Sequence, residues 1–271
     1  MLPTFVVIGA MKAGTTTLAA HLDRHPEVFV SRPKEPQFFS QKWEHGLDWY
    51  QEFFESAGDA IARGEASTTY TKLPMHPEAA DRMAATIPDA RLIYLVRDAV
   101  DRMRSHWLHR VHDGEETRPI EQALREEPRY TNRSRYAMQL EHYLGRFPRE
   151  QLCILQAEEM YADPASVLPS VFRFLGVDPD APVAANRQEN ASATRFDLPA
   201  NVRHKVRVGS RSPLYRAVPK PVRKLMARPL RKALQQPVPP AEISAELRAE
   251  LMNVLADDQA RLRALMGVPV R

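Results

Sequence analysis

TFVVIGAMKAGTT, residues 4–16, contains the two signals from which the rest of the fold can be predicted. Its first part, residues 4–8, is a short run of β-branched and aromatic residues, which predicts a buried strand. Gly9 and Gly14 follow, and leucines spaced four apart then predict a helix over residues 16–25. A strand, a glycine-containing loop and a helix in this order form an anion site, because loop amides and the helix N-terminus both donate to it.

Strands and helices continue to alternate along the chain. Apolar runs predict strands at residues 28–30, 91–96 and 152–155, and a long leucine-spaced helix ends the chain at about 241–266. This alternation predicts an α/β fold with right-handed crossovers, in which a P-loop-like, mostly parallel central sheet is flanked by helices in a single domain, residues 1–271. Ligands of such folds bind at the carboxyl ends of the strands.

Composition favours a soluble protein with an anionic ligand. Hydrophobic residues make up 44% and charged residues 27% of the chain, and no stretch has the length or apolarity of a signal peptide or membrane helix. The single cysteine, Cys153, excludes an intrachain disulfide and fits a cytoplasmic location. Residues 198–241 contain 11 Lys and Arg and no Asp or Glu, although the net charge is only +4. Such a basic block indicates an anionic ligand or surface.

The lysine of the glycine loop is not where a nucleoside triphosphatase would have it. The glycines match the spacing G-x-x-x-x-G-K-[ST], but Thr15 occupies the lysine position and Lys12 lies earlier in the loop. The run from Lys12 to Leu18 instead resembles the 5′-phosphosulfate loop, K-x-G-T-[ST]-x-L, of sulfotransferases that use 3′-phosphoadenylyl sulfate (PAPS). The resemblance implies that Lys12 is catalytic, because its charge would stabilise the leaving phosphate. It also implies these cofactor-binding residues: Lys12, Ala13, Gly14, Thr15, Thr16 and Thr17.

A second motif resembles the 3′-phosphate site of the same family. Arg97 follows the strand at 91–96, and Ser105 comes eight residues later on the next predicted helix. In the family, this pair binds the 3′-phosphate that distinguishes PAPS from ATP, and an arginine fork suits phosphate. The segments G-E-x-S-x-x-Y, F-P-x-x-Q-L and F-L-G-V, at 64–70, 147–152 and 174–177, resemble the bacterial and heparan-sulfate-sulfotransferase-like branch.

The candidate general base is Glu35. The stretch Lys34-Glu35-Pro36-Gln37-Phe38-Phe39 resembles the K-E-x-H-F-F segment of that branch, whose glutamate is the proposed base. Gln37 stands where that branch has a histidine. Ala66 stands where the branch has the lysine of its E-K-[ST]-P segment. Both departures argue against heparan sulfate as the acceptor. His106, beside Ser105, is the competing base.

The resemblance implies an enzyme that moves a sulfuryl group from PAPS to an acceptor and releases PAP by in-line displacement, without a metal. The acceptor is expected to be a hydroxyl or amine of a small molecule, a glycolipid or a carbohydrate. A P-loop kinase or NTPase and a non-catalytic nucleotide-binding protein remain alternatives. The basic segment, about 198–241, is predicted either to close over the nucleotide or to contact an anionic membrane surface. No nucleic-acid recognition motif is visible.

Overall fold

The structure is a computed structural model that describes residues 1–182 and 241–267. In these residues five strands form one sheet in the order β2-β3-β1-β4-β5, and each pair of neighbours runs parallel. The strands are β1 (Phe5–Gly9), β2 (Val28–Val30), β3 (Ala62–Ala66), β4 (Arg91–Val96) and β5 (Leu152–Gln156). The α/β class and the parallel sheet predicted from the sequence are confirmed.

Helices connect the strands and extend the fold beyond the sheet. In the first half of the chain they are α1 (Thr15–Leu22), α2 (Gly46–Glu52), α3 (Ala79–Thr86), α4 (Ala99–Asp113), α5 (Ile120–Glu126) and α6 (Pro128–Asn132). Later described residues form α7 (Tyr136–Leu144), α8 (Ala157–Ala162), α9 (Pro164–Leu175), α10 (Ala245–Val254) and α11 (Ala256–Met266). No helix in the part of the chain that the structure describes is both long enough and apolar enough to cross a bilayer.

The predicted C-terminal helix, about 241–266, is divided into α10 and α11. The division falls at Leu255, whose ψ of −2° interrupts the helix. Leu251, Leu255 and Leu262 are nevertheless all buried. The leucine spacing therefore continues across the interruption, and for this reason the sequence pattern predicts one helix.

β1 lies at the centre of the sheet and is buried along its whole length, as expected for a parallel strand covered on both faces. Its register places Val6 opposite Glu65 of β3 and Val7 opposite Ile93 of β4. All five strands run in the same direction, so their carboxyl ends lie along one edge of the sheet. The loops that follow β1, β2, β3 and β4 therefore begin at that edge.

α11 is joined to the core by a buried carboxylate. Asp258 accepts hydrogen bonds from the backbone amides of Ala137 at 3.1 Å and Met138 at 2.9 Å, in the first turn of α7. Only 4% of Asp258 is exposed, and burial raises the pKa of its carboxyl. A carboxylate at a helix N-terminus satisfies amides that have no partner within the helix.

The chain groups into two compact units. The first contains residues 1–102, 131–185 and 250–271, and the second contains residues 103–130 and 186–249. In the second unit, Glu116 is buried and accepts a hydrogen bond from Tyr130 Oη at 3.0 Å and from Arg118 Nη2 at 2.8 Å. Burial alone would raise the pKa of Glu116, but the bonds from Arg118 and Tyr130 lower it to about 2.

Candidate active site

The loop between β1 and α1 has the conformation of an anion site. Lys12 has φ of 70° and Gly14 has φ of 101°, so the chain makes two left-handed turns before α1 begins. Ala13 and Thr15 are buried, whereas Thr16 is exposed and Thr17 is half-buried. Successive amides in such a turn point toward a common centre.

The N-terminus of α1 is open to a negatively charged ligand. Its N-cap residue is Gly14, which has no side chain to cap the helix, and the first turn contains no acidic residue. The amides of a first helical turn have no partner within the helix, and the helix dipole favours an anion there. The predicted phosphate-binding residues thus run without a break from the loop into the first turn of the helix, with Ala13 and Thr15 buried.

Gly9 is required by its buried neighbours, whereas Gly14 is required mainly by its φ of 101°, a conformation that favours glycine. A Cβ atom at Gly9 would lie 2.2 Å from Thr71 Oγ1, and a Cβ atom at Gly14 would lie 2.3 Å from Tyr161 Oη. Tyr161, in α8, is 52% exposed, so its hydroxyl reaches the loop from the solvent side. The sequence did not point to Tyr161, because nothing in α8 resembles a binding motif.

Arg97 lies at the same edge of the sheet as the glycine loop. The first residue after β1 donates a backbone hydrogen bond to β4, from Ala10 N to Leu95 O at 2.9 Å, and Arg97 follows Leu95 by two residues. Asp98, the acid that a kinase mechanism would need, accepts a hydrogen bond from Asp101 N at 2.8 Å and so caps α4. The observed geometry therefore gives Asp98 a structural role.

Glu35 lies in the loop after β2 and is one-third exposed. Its carboxylate accepts a hydrogen bond from Lys34 Nζ at 3.0 Å and from Gln37 Nε2 at 3.4 Å. Gln37, which replaces the histidine of the related segment, thus contacts the candidate base directly. A partly exposed carboxylate held by two neighbours can accept a proton from a bound molecule.

The non-glycine residues with left-handed backbone in the described chain are Lys12, Glu35 and Gln37. Such residues are uncommon, and they cluster at active sites, where the surrounding structure holds them against a cost of about 1–3 kcal/mol each. All three belong to the two loops that the sequence assigned to phosphate binding and to the general base. Backbone conformation therefore marks both loops independently of any motif.

Two further cations belong to this region. Burial lowers the pKa of Lys72 to about 8; the charge of Arg133 adds to the lowering, and the charge of Glu35 opposes it. Arg133 in turn places Nη1 3.6 Å from the sulfur of Met11, in the glycine loop. Lys72 thus interacts electrostatically with both Glu35 and Arg133, and Arg133 contacts the phosphate loop.

The segment G-E-x-S-x-x-Y forms a buried network behind Glu35. Glu65 accepts hydrogen bonds from Tyr50 Oη at 3.1 Å, Tyr70 Oη at 2.5 Å and Ser67 Oγ at 2.6 Å. Burial raises the pKa of Glu65 to about 7, the three hydroxyls oppose this rise, and the charge of Glu35 adds to it. Of the three polar residues that the motif specifies, Ser67 and Tyr70 are therefore both joined by hydrogen bonds to Glu65.

The sequence model of a family described as the sulfotransferase family matches residues 3–181, which include every one of these site residues. The chain belongs to the sulfotransferase family. A crystal structure of a sulfotransferase from Alicyclobacillus acidocaldarius has the same fold, with a TM-score of 0.72 and 26% identity over 100% of this chain and 98% of that one. The sulfotransferase domain from the curacin biosynthetic pathway shares the fold at a TM-score of 0.53 and 16% identity.

Characterised relatives of this sulfotransferase are larger proteins. The human bifunctional heparan sulfate N-deacetylase/N-sulfotransferase 3 is 33% identical over 201 residues, which are 66% of this chain and 23% of that protein. The human heparan sulfate glucosamine 3-O-sulfotransferase 3B1 is 30% identical over 190 residues, which are 65% of this chain and 46% of that protein. The chain thus matches less than half the length of either relative.

Two of the predicted residues of the sulfotransferase lie in its second unit. Ser105 is half-buried on α4, and its pairing with Arg97 stays a prediction. His106, the competing base, is only 1% exposed, and its ring packs edge-on against Tyr130 at 4.8 Å between centroids. A buried imidazole packed on an aromatic ring is a poor candidate for contact with an acceptor, so the geometry favours Glu35.

The signals for Lys72 and Arg133 in the sulfotransferase sequence were weak. Ala66 replaces the lysine of the related segment, yet Lys72 follows six residues later, in the same loop after β3. A lysine displaced along one loop can still reach the same site, so the position of Lys72 in the loop after β3 is a weak signal for its role. Arg133 precedes α7 in a stretch without a recognisable motif, and only tertiary structure brings it to Met11.

Proposed function

We propose that this sulfotransferase moves a sulfuryl group from PAPS to a hydroxyl or amine of an acceptor and releases PAP. The observation that carries the proposal is the hydrogen bond from Ala10 N to Leu95 O, which fixes the loop of Lys12 beside β4, the strand that Arg97 directly follows. A phosphosulfate and a ribose phosphate of one nucleotide could therefore be bound along one sheet edge.

The residues of the loop fit the anionic end of PAPS. The uncapped first turn of α1 supplies amide donors, and Gly14 allows the left-handed backbone with which the loop enters that turn. Lys12 supplies a positive charge within the turn. When bound, PAPS supplies a sulfuryl group whose bond to phosphate oxygen breaks as the acceptor atom bonds to sulfur, the electron pair leaving on PAP.

The chain's own groups would handle charge and a proton. Lys12 would stabilise negative charge that increases on the phosphate, an interaction that is stronger in the transition state than in the ground state. Glu35 would take the acceptor's proton on a carboxylate oxygen, since it is the partly exposed acid of the site. Lys34 would hold that carboxylate in place through their hydrogen bond, and Lys72 would add positive charge near it.

For the acceptor we propose a carbohydrate, free or in a glycolipid. The support is that the named human relatives act on heparan sulfate. Gln37 and Ala66, which replace residues of that branch, favour an acceptor less anionic than heparan sulfate. A screen with ³⁵S-labelled PAPS over neutral oligosaccharides, glycolipids, heparan sulfate, phenols and amines tests this. Label on phenols or amines alone would contradict a carbohydrate acceptor, and label on heparan sulfate alone would contradict a less anionic one.

We expect PAP to raise the melting temperature of the protein more than ADP does, in the presence of EDTA. PAP carries the 3′-phosphate that Arg97 is proposed to bind, and binding to the native state alone stabilises it by mass action. Differential scanning fluorimetry with each nucleotide at equal concentration measures the difference. Equal shifts, or an ADP shift that requires Mg²⁺, would instead favour the kinase alternative.

Lys72 gives a pH prediction. With a pKa of about 8, its ammonium is charged below that pH and loses its charge above it. If the charge helps to bind the anionic donor, kcat/KM for PAPS falls as pH rises through about 8, because kcat/KM reports groups of the free enzyme. Lys72→Arg should keep its activity to higher pH, since arginine stays protonated. The same profile in both proteins would remove Lys72 from the donor site.

The predicted role of the basic segment concerns residues that lie outside those the structure describes, apart from Ala241. Closure over the nucleotide and contact with an anionic lipid surface both stay predictions. The cytoplasmic location and the lack of a metal requirement also stay predictions. Because no metal requirement is predicted, we expect activity to persist after exhaustive dialysis against EDTA.

A further inference from the structure

Glu65 is a fully buried carboxyl group with no assigned part in the proposed chemistry. It lies on β3, opposite Val6 of β1, and is 0% exposed. An acid is almost never this buried unless it is well paired, and here the partners are three hydroxyl groups rather than a cation. Because burying a carboxyl group costs free energy, we ask which groups Glu65 holds in place.

One of the three hydroxyls connects Glu65 to the loop of the candidate base. Ser67 Oγ donates to Glu65 Oε2 at 2.6 Å and accepts a hydrogen bond from Gln37 N at 3.0 Å. Gln37 is two residues from Glu35, and its side chain also donates to Glu35 Oε2 at 3.4 Å. A single chain of contacts thus runs from a strand of the sheet to the carboxylate of Glu35.

The same segment is tied to the strand that carries the phosphate loop. Ser67 N donates to Val7 O at 3.1 Å, and Thr71 Oγ1 donates to Ile8 O at 2.7 Å, one residue before Gly9. Residues 65–71 therefore contact β1 on one side and the loop of Glu35 on the other. They provide a short, rigid connection between the donor site and the base.

We propose that Glu65 is a positioning residue that, through Ser67, holds the backbone at Gln37 and so fixes Glu35 relative to the phosphate loop. The inference rests on the proposed function for the role of Glu35, but the connection itself is a statement about the fold. Left-handed φ angles of 65° at Glu35 and 59° at Gln37 show why a hold is needed. Without one, both residues would relax to commoner backbone conformations.

The charge of Glu65 should strengthen this hold. The titratable groups that face it are Tyr50 from α2, Tyr70 from its own loop, Tyr143 from α7 and Glu35. With a pKa of about 7, Glu65 is neutral below that pH and ionised above it. The ionised form accepts a charge-assisted bond from Ser67 and so holds the loop of Gln37 and Glu35 more firmly. Turnover should therefore rise through about pH 7.

Hydrogen exchange tests the connection without any assay of activity. In the full-length protein we expect Ser67→Ala to speed exchange of the Gln37 amide, followed by mass spectrometry of peptides over residues 35–40, by about ten-fold or more. Tyr50→Phe is the matched control: it also removes a hydroxyl from Glu65 but leaves the Ser67 bridge intact. Exchange in Ser67→Ala that equals the wild type would overturn the proposal.

Kinetics test the consequence for the base. Ser67→Ala and Glu65→Gln should each lower kcat by roughly 10- to 100-fold, because small misplacements of a reacting group cost this much. KM for PAPS should change less than about two-fold, since a role limited to positioning leaves donor binding intact. Glu65→Gln should also lose the rise of kcat through about pH 7. Tyr50→Phe should retain most of its kcat.

The outcomes separate the two proposals. Faster exchange together with a kcat as high as that of Tyr50→Phe would show that the bridge does not position the base, and would overturn the inference while the proposed function stands. A pH profile of Glu65→Gln identical to the wild type would overturn the part assigned to its charge. A wild type that binds PAP but transfers no sulfuryl group would refute the proposed function, whereas the exchange result would still test the bridge.

Discussion

Lys12→Ala lowers kcat for sulfuryl transfer by roughly 10²- to 10³-fold, the cost of removing one preorganised group that stabilises developing charge. The physical reason is position: Lys12 lies inside the left-handed turn between β1 and α1, and Ala13 and Thr15 on its C-terminal side are buried. Its ammonium therefore belongs to the loop that we propose binds the leaving group. Transfer of ³⁵S from labelled PAPS to the best acceptor of the screen measures the effect.

Lys42→Ala is the matched control for Lys12→Ala. It removes the same charge from an exposed position at the start of a short 3₁₀ helix, and it should leave kcat within about two-fold. PAP should still raise the melting temperature of Lys12→Ala, because the amides of α1 and Arg97 remain. Full activity of Lys12→Ala would remove this residue from the site, and complete loss of PAP binding would assign it to binding alone.

Glu35→Gln lowers kcat by roughly 10²- to 10⁴-fold, the range that a positioned general base contributes. Glutamine keeps the shape of the side chain and can still contact Lys34 and Gln37, but it cannot take a proton. KM for PAPS and the melting-temperature shift with PAP should stay nearly unchanged, because the phosphate loop is not altered. Single-turnover measurements with labelled PAPS separate the chemical step from product release.

Glu55→Gln, at an exposed position after α2, is the control for Glu35→Gln and should behave like the wild type. Unchanged turnover in Glu35→Gln would exclude this residue as the base. His106 would then become the candidate general base, despite its burial against Tyr130. A raised KM for PAPS with unchanged kcat would instead indicate that Glu35 contributes to binding only.

Most of the sheet could be predicted from the sequence because four of its strands are short apolar runs, whereas β3 (Ala62–Ala66), which contains Arg63 and Glu65, is not. A parallel strand buried on both faces is a nearly continuous apolar run, and residues 28–30 and 91–96 have the bounds that the pattern predicts. Gly9, Gly14 and the early Lys12 then predicted the phosphate loop. Short helices were harder: α5 and α6 have 7 and 5 residues, too few for a helical period to be recognised.

The site was predicted only as far as local sequence determines it. Lys12, Glu35 and Arg97 lie at the ends of strands, where topology alone brings them to one edge. Lys72 and Tyr161 reach the site through side-chain directions in a loop and a helix, which spacing does not reveal. The network of Glu65 likewise includes Tyr50, fifteen residues away in another element.

Asp258 limits how far this chain can be shortened from its C-terminal end. The family match ends at residue 181, yet Asp258 satisfies the first amides of α7, and residues 250–271 belong to the same compact unit as the sheet. A fragment cut at the end of the match would leave those amides without their acceptor and uncover the apolar surface that Leu255 and Leu262 contact. The boundary of recognisable ancestry is therefore not the boundary of the smallest piece that can be expected to fold.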